Sequence, residues 1–258
     1  MVQTSVIGCG NMGSALIKGL WRAGNHTVVA CDLDPDALES VADYVDRTTS
    51  DVSEAAESDV VIVAVKPDIV GAVLDDLDLT PEQTLLSIAA GVSTDYVDAR
   101  TDANVVRIMP NLAAETRDMA AAVTAEGVTD EVRTLLDDVG EFAEIDERQM
   151  DIATAVNGSG PAFVFYLIQA MAEAGVEGGL DEAHAETLAA QTFKGAAETV
   201  LRSDRDIEDL IDAVCSPNGT TIEGMDVLWD SDAKANVAEA VAAAEERSAE
   251  LAAEFNDE

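Results

Sequence analysis

The stretch Ser5-Val6-Ile7-Gly8-Cys9-Gly10-Asn11-Met12-Gly13 decides the fold, because it joins a short apolar run to a G-x-G-x-x-G string. In such a turn Gly8 makes the tight bend, Gly10 lets a pyrophosphate approach the backbone, and Gly13 lets the next helix pack close to the strand. The phosphates face the N-terminus of that helix, where backbone N–H groups lack partners. The stretch predicts a dinucleotide site; a tight turn without a ligand is the plainer alternative. The predicted cofactor-binding residues here are Gly8, Gly10, Asn11, Met12 and Gly13.

Outward from this turn, the first 110 residues alternate short apolar runs with amphipathic stretches. Continuous apolarity within a run is typical of a parallel strand that is covered on both faces. The alternation therefore predicts an α/β Rossmann domain, which is a doubly wound, mainly parallel sheet. The predicted strands are 5–7, 28–31, 60–65, 85–89 and 105–108, with weaker strands near 119–124 and 141–145; the predicted helices are about 11–23, 35–43, 67–77 and 93–99.

The pattern changes after about residue 150, where long Ala-, Glu- and Leu-rich stretches replace the β-branched runs. These stretches predict helices at about 161–176, 181–203, 206–215, 220–229 and 232–255. The last is apolar around much of its circumference, so it needs burial that a partner subunit would supply. An isolated bundle with an Ala-rich surface helix is the alternative. We expect a Rossmann domain at 1–152 and an all-α dimerisation domain at 153–258.

Composition excludes several classes of partner. The chain has 258 residues, with 14 Lys and Arg against 52 Asp and Glu, so its net charge is −38. Such a chain repels nucleic-acid phosphates and anionic membranes, and no apolar run approaches the about 18 residues that a membrane helix needs. Acid spread along the whole chain predicts a halophilic source. Three Cys residues outside any zinc motif, and an N-terminus without a basic stretch, predict a cytoplasmic protein without a metal site.

Acidic residues follow the second predicted strand. Asp32 lies 19 residues after Gly13, where a carboxylate accepts hydrogen bonds from the adenosine ribose hydroxyls and repels a 2′-phosphate. Asp34 adds a second negative charge nearby. The pair predicts an NAD(P)H cofactor with NADH preferred. Alternatively, both acids belong to the general surface excess.

Further candidates follow the later strands and begin two helices. Ligands lie at the carboxyl ends of parallel strands, which singles out Ala64, Val65, Lys66 and Pro67, then Ala90 and Gly91, as cofactor-binding residues. Arg107-Ile108-Met109-Pro110-Asn111 would line the cleft between the two halves. Asn157-Gly158-Ser159-Gly160-Pro161 and Ser216-Pro217-Asn218-Gly219-Thr220-Thr221 each open a helix, so free N–H groups and hydroxyls there suit a carboxylate. Ordinary Ser and Thr capping is the alternative.

The whole chain resembles the Δ1-pyrroline-5-carboxylate reductase family. The resemblance rests on six motifs in order: the Gly-rich turn, Ala64-Val65-Lys66-Pro67, Ser87-Ile88-Ala89-Ala90-Gly91-Val92, Arg107-Ile108-Met109-Pro110-Asn111, Gly158-Ser159-Gly160-Pro161-Ala162-Phe163, and Ser216-Pro217-Asn218-Gly219-Thr220-Thr221-Ile222-Glu223. It implies hydride transfer from NAD(P)H to a cyclic C=N bond, which gives L-proline. It also implies a homodimer, five of which form a decamer in some members, with a substrate site where two subunits' helices meet.

The resemblance also implies roles for the last motif. Thr221 would be the catalytic hydroxyl near the ring nitrogen, and Ser216, Gly219, Thr220 and Thr221 would bind the substrate carboxylate. The chain departs from the family at Asn218, where glycine is usual, at Asn157, where Ser is common, and at Leu112-Ala113, where Thr-Pro is usual. Asp32 and Asp34 stand where family members often carry the Ser, Thr or Arg that binds the 2′-phosphate of NADP. This departure argues against the family's usual NADPH preference.

Three rival functions remain open from the sequence. A β-hydroxyacid dehydrogenase shares this organisation, but its family places a Lys shortly after the Gly-Ser-x-Gly stretch, and here the first Lys after Gly158 is Lys194. A reductase of another cyclic imine would use the same residues. A nucleotide-binding sensor without turnover is the non-enzyme alternative, and imine-dependent cofactor oxidation separates it from an enzyme.

Overall fold

The computed structural model describes residues 1–256, which form two compact units. The first, here called the sheet unit, comprises Met1–Ser159 together with the end of the chain from Ala242. The second, the helical unit, comprises Gly160–Val241. The end of the chain thus belongs to the same compact unit as the sheet. The division between functional domains at 152/153 stays a prediction.

The sheet unit contains an eight-stranded sheet in the order β3-β2-β1-β4-β5-β6-β7-β8. Every neighbouring pair is parallel except β6–β7, which is antiparallel, and this confirms the predicted mainly parallel, doubly wound sheet. The strands are β1 (Gln3–Ile7), β2 (Thr27–Cys31), β3 (Arg47–Thr49), β4 (Val60–Val63), β5 (Thr84–Ser87), β6 (Asn104–Met109), β7 (Met119–Thr124) and β8 (Gly140–Ile145).

Helices cover both faces of this sheet. They are α1 (Asn11–Ala23), α2 (Pro35–Val41), α3 (Val52–Ala55), α4 (Pro67–Asp75), α5 (Thr94–Asp98), α6 (Asp130–Asp137) and α7 (Met150–Ala153), and a π-helical turn (Thr154–Gly158) follows α7. Pro67 occupies the first turn of α4, where its missing N–H leaves no carbonyl unpaired. Helix α1 ends at Gly24, whose φ of 75° is a left-handed cap that glycine adopts without strain.

The core of the sheet unit explains why the strands are continuously apolar. Along β1, Val6 belongs to the cluster under α1 and α6, while Ile7 belongs to the cluster under α4 and α5. Val60 and Val61 of β4 divide in the same way. Because neighbouring side chains point to opposite faces and both faces are covered, each position has to be apolar.

The helical unit has five helical segments but a very small core of its own. They are α8 (Gly160–Glu177), α9 (Glu182–Arg202), α10 (Ile207–Val214), α11 (Thr220–Trp229) and the first part of α12 (Ala233–Asn256). The buried apolar cluster of α8 and α9 comprises Ala172, Ala185 and Ala189, with Ile168 packed against it. Large apolar side chains stay exposed in the single chain, including Phe165, Tyr166, Leu188, Leu201 and Val227. Exposed apolar surface of this extent is typical of a subunit interface.

Within residues 1–256, no helix combines the length and the apolar character that crossing a bilayer demands.

Candidate active site

The Gly-rich turn between β1 and α1 is tightly constrained at two of its three glycines. Gly8 has a φ of 98°, and a Cβ on it would lie 2.7 Å from the carbonyl oxygen of Ala64. A Cβ on Gly13 would overlap the carbonyl oxygen of Gly8. Around Gly10, by contrast, a Cβ would have no neighbour within 4 Å. The protein's own packing therefore requires glycine at positions 8 and 13. At position 10 packing does not require it, and the absence of a side chain leaves space for a ligand beside the backbone.

The start of α1 fits a bound phosphate. Gly10 is the N-cap residue, no side chain caps the helix, and the first turn carries no acidic residue. The N–H groups of this turn are therefore left for an external anion, and the positive end of the helix dipole points toward it. This donor set, beside the open space at Gly10, fits the pyrophosphate of a dinucleotide.

A cavity of about 820 Å³ extends from this turn along the carboxyl ends of β1, β2 and β4. Leu33 and Ile69 line it and are 83% and 44% exposed, so their apolar surfaces are available to contact a planar ligand. Its charged lining residues are Asp32, Asp51 and Asp76, and none of the Lys and Arg residues within 1–256 lines it. The cavity suits the adenosine of a dinucleotide and opposes an additional phosphate.

The two acids that the sequence singled out occupy different environments. Asp32 lines the cavity, and its carboxylate accepts hydrogen bonds from the N–H groups of Cys9 (2.7 Å) and Asp34 (2.9 Å). It thereby joins the Gly-rich turn to the end of β2. Asp34 is the N-cap of α2, where its Oδ1 accepts from the N–H of Asp36 (3.0 Å), and it is not among the residues that line the cavity.

Asp51 is a candidate site residue that the sequence reasoning missed. It lines the cavity as the N-cap of α3, and its carboxylate accepts from the hydroxyl (2.7 Å) and the N–H (3.0 Å) of Ser53. These hydrogen bonds lower the pKa of Asp51, so the carboxylate is ionised at neutral pH. The three-residue strand β3 that brings it here lacks an apolar run, which is why nothing in the hydropathy pattern indicated it.

The residues after β4 adjoin the Gly-rich turn. Ala64 donates its N–H to Ile7 (2.7 Å) and packs on Gly8 through its carbonyl, and Val65 lines the cavity. Lys66 is exposed and is the N-cap of α4, directly before Pro67. The structure therefore brings these four predicted residues together with Gly8 and Asp32 at one edge of the sheet.

The loop after β5 carries Ala90 and Gly91. Gly91 has a φ of 78° and is buried, and a Cβ on it would lie 3.1 Å from the Cα of Ala252 in α12. The packing of α12 therefore requires a small residue here, whether or not a ligand binds.

The backbone after β6 is held by Asn111. Its side-chain oxygen accepts from the N–H groups of Ala113 and Ala120, so it fixes the backbone that follows β6.

The loop Ser216–Thr221 lies in the helical unit. The carbonyl of Ser216 accepts from the N–H of Gly219 (2.9 Å), which closes a turn over Pro217, and Asn218 adopts a left-handed φ of 59°. Glycine adopts this conformation most readily, and asparagine is among the other residues that tolerate it best, so Asn218 fits the position where the family resemblance predicts glycine.

The helix that follows this turn begins without a side-chain cap. Gly219 is the N-cap of α11 and makes no side-chain hydrogen bond. Thr220 and Thr221 follow it and are exposed, and neither hydroxyl has a hydrogen-bond partner within the part of the chain that the structure describes. Capping therefore does not account for the hydroxyls of this loop, which are free to bind a ligand.

Other potentially reactive groups have structural explanations. Burial raises the pKa of Cys9 to about 12 and that of Cys31 to about 11, so both thiols are protonated and unreactive. His26 is fully buried and lies 2.9 Å from a carboxylate oxygen of Asp138. Among residues 1–256, no group of three His, Cys, Asp or Glu side chains is arranged to hold a metal ion.

Two family models match the chain. The model "Pyrroline-5-carboxylate reductase dimerisation" matches residues 147–251, and the model "NADP oxidoreductase coenzyme F420-dependent" matches residues 3–91. With the Gly-rich turn, these matches define an oxidoreductase with an NADP-binding Rossmann domain and a helical dimerisation region.

Relatives identify the family. The chain is 39% identical to the pyrroline-5-carboxylate reductase of Methanosarcina acetivorans over 95% of this chain and 96% of that one. It resembles the structure of a pyrroline-5-carboxylate reductase from Coxiella burnetii (TM-score 0.86, 30% identity, 97% and 98% of the two chains) and that of Plasmodium falciparum pyrroline carboxylate reductase with NADP bound (TM-score 0.81, 29% identity, 97% and 98%). The chain belongs to the pyrroline-5-carboxylate reductase family.

Two glycine substitutions separate packing from ligand binding in the Gly-rich turn. We expect Gly13→Ala to lower the free energy of unfolding by about 3 kcal/mol, because the new Cβ forces α1 away from β1. Gly10→Ala, the matched control, should leave stability within about 0.5 kcal/mol of the parent and weaken dinucleotide binding at least tenfold. Chemical denaturation and NADH titration measure the two effects. A Gly10→Ala protein that binds NADH normally would contradict the pyrophosphate assignment.

Proposed function

We propose that this protein is a pyrroline-5-carboxylate reductase, which transfers a hydride from a reduced nicotinamide to the C=N carbon of 1-pyrroline-5-carboxylate and forms L-proline. The single observation that carries this function is the match to family members over nearly the whole of both chains. The reaction balances when the imine carbon accepts the hydride and the imine nitrogen accepts one proton. It is the last step of proline synthesis in this family.

We assign the binding of the dinucleotide to the Gly-rich turn and the neighbouring strand ends. The N–H groups at the start of α1 and the open space at Gly10 suit the pyrophosphate, and the cavity lined by Leu33 and Ile69 suits the adenosine. The reduced nicotinamide, when bound, supplies the hydride. Ala90 and Gly91 are proposed to lie against its ring. The remaining proposed cofactor-binding residues are Asn11, Met12, Ala64, Val65, Lys66 and Pro67.

We assign the substrate to the loop that begins α11. Ser216, Gly219 and Thr220 are the proposed carboxylate-binding residues: the hydroxyls of Ser216 and Thr220 are exposed, and Gly219 is the N-cap at which the N-terminus of α11 is open to an anion. Thr221 is proposed as the hydroxyl that gives a proton to the ring nitrogen, directly or through water. A basic imine nitrogen needs little acid catalysis, so positioning and a preorganised anion site supply most of the rate enhancement.

We propose that NADH is preferred over NADPH. The cavity that suits the adenosine carries the carboxylates of Asp32, Asp51 and Asp76 and no cationic side chain. A 2′-phosphate placed there would face like charges without a compensating partner. Asp34 contributes by capping α2, since its carboxylate already satisfies an N–H that would otherwise be available to a phosphate. The Plasmodium falciparum relative was solved with NADP, so the preference proposed for this chain rests on its own acids and not on that relative.

The physiological setting follows from charge and thiols. We propose a halophilic source, since a net charge of −38 destabilises a folded chain unless salt screens it. The same charge argues against nucleic-acid and anionic-membrane partners. Three free cysteines support a cytoplasmic location. The dimerisation region and the exposed apolar faces of the helical unit support a homodimer as the minimum assembly, and a decamer is the larger assembly that the resemblance suggests.

The proposed function is tested by measuring NADH and NADPH oxidation with and without pyrroline-5-carboxylate, using protein purified in molar salt. We expect oxidation that depends on the imine. A folded protein that binds a dinucleotide but does not oxidise it with this imine would overturn the substrate assignment. Oxidation with a six-membered cyclic imine alone would indicate the alternative reductase.

Removal of the Thr221 hydroxyl tests its role as a proton donor. Thr221→Ala should lower kcat about 100-fold, which is the usual contribution of a positioned acid, while the Kd for NADH stays within about twofold. Thr199→Ala on α9, whose hydroxyl bonds only to the Gly195 carbonyl, is the matched control and should keep full activity. Unchanged turnover in Thr221→Ala would remove this residue from the mechanism.

Changing the acids around the adenosine cavity tests the cofactor preference. Asp51→Asn should raise the ratio of kcat/KM for NADPH to that for NADH about tenfold, since one carboxylate charge no longer opposes the 2′-phosphate. Asp32→Ser combined with Asp34→Arg should raise the ratio further. The control is Asp36→Asn, at an exposed residue of α2 that does not line the cavity. Ratios equal to that of the control would mean that Asp32 and Asp51 do not face the ribose.

Salt dependence tests the halophilic proposal. Raising KCl from 0.1 to 2 M should raise the Tm by at least about 10 °C, because the Debye length falls from about 10 Å to below about 3 Å and the repulsion among the acids is screened. Differential scanning fluorimetry at constant pH measures this shift. A Tm that is flat or falls with KCl would show that the charge does not limit stability.

A further inference from the structure

A charged cluster that the proposed reaction does not use lies in the sheet unit. Arg107 of β6 is 6% exposed, and its Nη1 donates to Oε1 of Glu147 at 2.9 Å. The same oxygen accepts the N–H of Thr94 at 2.8 Å, and the Thr94 hydroxyl donates to Oε2. Burial alone would raise the pKa of Glu147, but the hydrogen bonds from Thr94 and Arg107 outweigh it and lower the pKa, so the group is a carboxylate.

This cluster joins three segments that are distant in the chain. Arg107 stands beside Ser87 in the β5–β6 register, Thr94 is the first residue of α5, and Glu147 follows β8. Ser87 and Thr94 are the two ends of the loop that carries Ala90 and Gly91. Glu147 therefore links Thr94, at the C-terminal end of this loop, to Arg107 of β6. The strand β6 neighbours β5, which carries Ser87 at the N-terminal end of the loop.

A second contact holds the same loop from another element. The backbone of α12 packs on Gly91, and the ring of Phe255 meets that of Tyr96 in α5 at 4.8 Å between centroids. Arg100 covers the Tyr96 ring, with Cζ 3.6 Å from its centroid. Packing thus fixes the loop at Gly91 and at α5, and hydrogen bonds to the Glu147 carboxylate fix it at Thr94. The loop has little freedom to shift.

Stability alone is a weak reason for such a cluster. Arg107 is the buried partner of this pair, while the Glu147 side chain is partly exposed. An ion pair with a buried partner contributes little more to folding than apolar residues of the same size, whereas loss of Glu147 leaves the buried charge of Arg107 uncompensated. Here the Nε of Arg107 and the hydroxyl of Ser87 are already buried without a partner. What the cluster provides beyond packing is a defined position, since the carboxylate of Glu147 accepts from Arg107 and from both the N–H and the hydroxyl of Thr94.

We propose that Glu147 is a positioning residue for hydride transfer. Through Thr94 and Arg107 it fixes the loop of Ala90 and Gly91, and thereby the nicotinamide that is proposed to lie on it. This inference rests on the proposed function. It assigns to Glu147 no contact with substrate or cofactor, and its effect is on the geometry of the reacting atoms, to which rate is very sensitive.

The test is Glu147→Gln, which keeps the shape and one acceptor but removes the charge. We expect kcat for imine-dependent NADH oxidation to fall at least tenfold, with the KM for the imine within about twofold. The primary isotope effect on kcat with 4-deuterated NADH should rise, since the misplaced ring makes hydride transfer limiting. The matched control is Glu144→Gln, at a residue of β8 that lies three positions before Glu147 and pairs with Arg133 of α6. This variant should behave as the parent.

A second pair of variants covers the case in which Glu147→Gln does not fold. Thr94→Val removes only the hydroxyl contact and should reproduce the lower kcat and the larger isotope effect in part, and Thr94→Ser should restore both. A merely structural role predicts a lower Tm with unchanged kcat and isotope effect below that Tm, and this result would overturn the proposal.

Bound NADH gives a readout that does not depend on the imine. Its nicotinamide fluorescence should be less polarised and red-shifted in Glu147→Gln, because the ring is held less firmly. If the parent binds NADH but fails to reduce the imine, the proposed function falls while this comparison still decides the positioning role. Identical spectra of bound NADH in parent and variant would overturn the positioning role alone.

Discussion

The contact between Gly13 and Gly8 is the constraint on which the sheet unit depends. It brings the first turn of α1 against the end of β1 so closely that a single methyl group at Gly13 would meet a carbonyl oxygen. This approach directs the uncapped N-terminus of α1 to the carboxyl edge of the sheet, where Asp32, Val65 and the Ala64 carbonyl also lie. The proposed phosphate site, the proposed ribose acceptor and the cavity beside them lie together because of this one backbone geometry.

The helical unit depends on a different constraint, because it buries too few apolar side chains to form a large core of its own. Its buried cluster consists of three alanines, while aromatic and aliphatic side chains of α8, α9 and α11 face outward. Alanine allows helices to approach closely but buries little area, so two copies together must supply what one lacks. The loop before α11 carries the proposed substrate groups on this unit. Assembly and substrate binding therefore depend on the same helices.

The fold was predictable because its signals are local. Buried parallel strands are continuously apolar, and the bounds of α1 and α11 follow from Gly24 and Gly219 at their ends. The strand β3, three residues long and exposed at the edge, gave no such signal, and Asp51 was missed with it. The difference between Asp32 and Asp34 was also hidden, since both follow the same strand and only the three-dimensional arrangement shows that Asp34 caps α2. The link between Thr94, Arg107 and Glu147 spans 53 residues along the chain and has no sequence pattern.

The proposed reaction passes a hydride from a bound nicotinamide to the imine carbon of pyrroline-5-carboxylate. The most direct measurement incubates the protein in molar KCl with this imine and with NADH that carries deuterium at both C4 positions, and follows the product by NMR. We expect L-proline with deuterium at C5, formed in an amount equal to the oxidised cofactor. Proline without deuterium, or cofactor oxidation without proline, would contradict it.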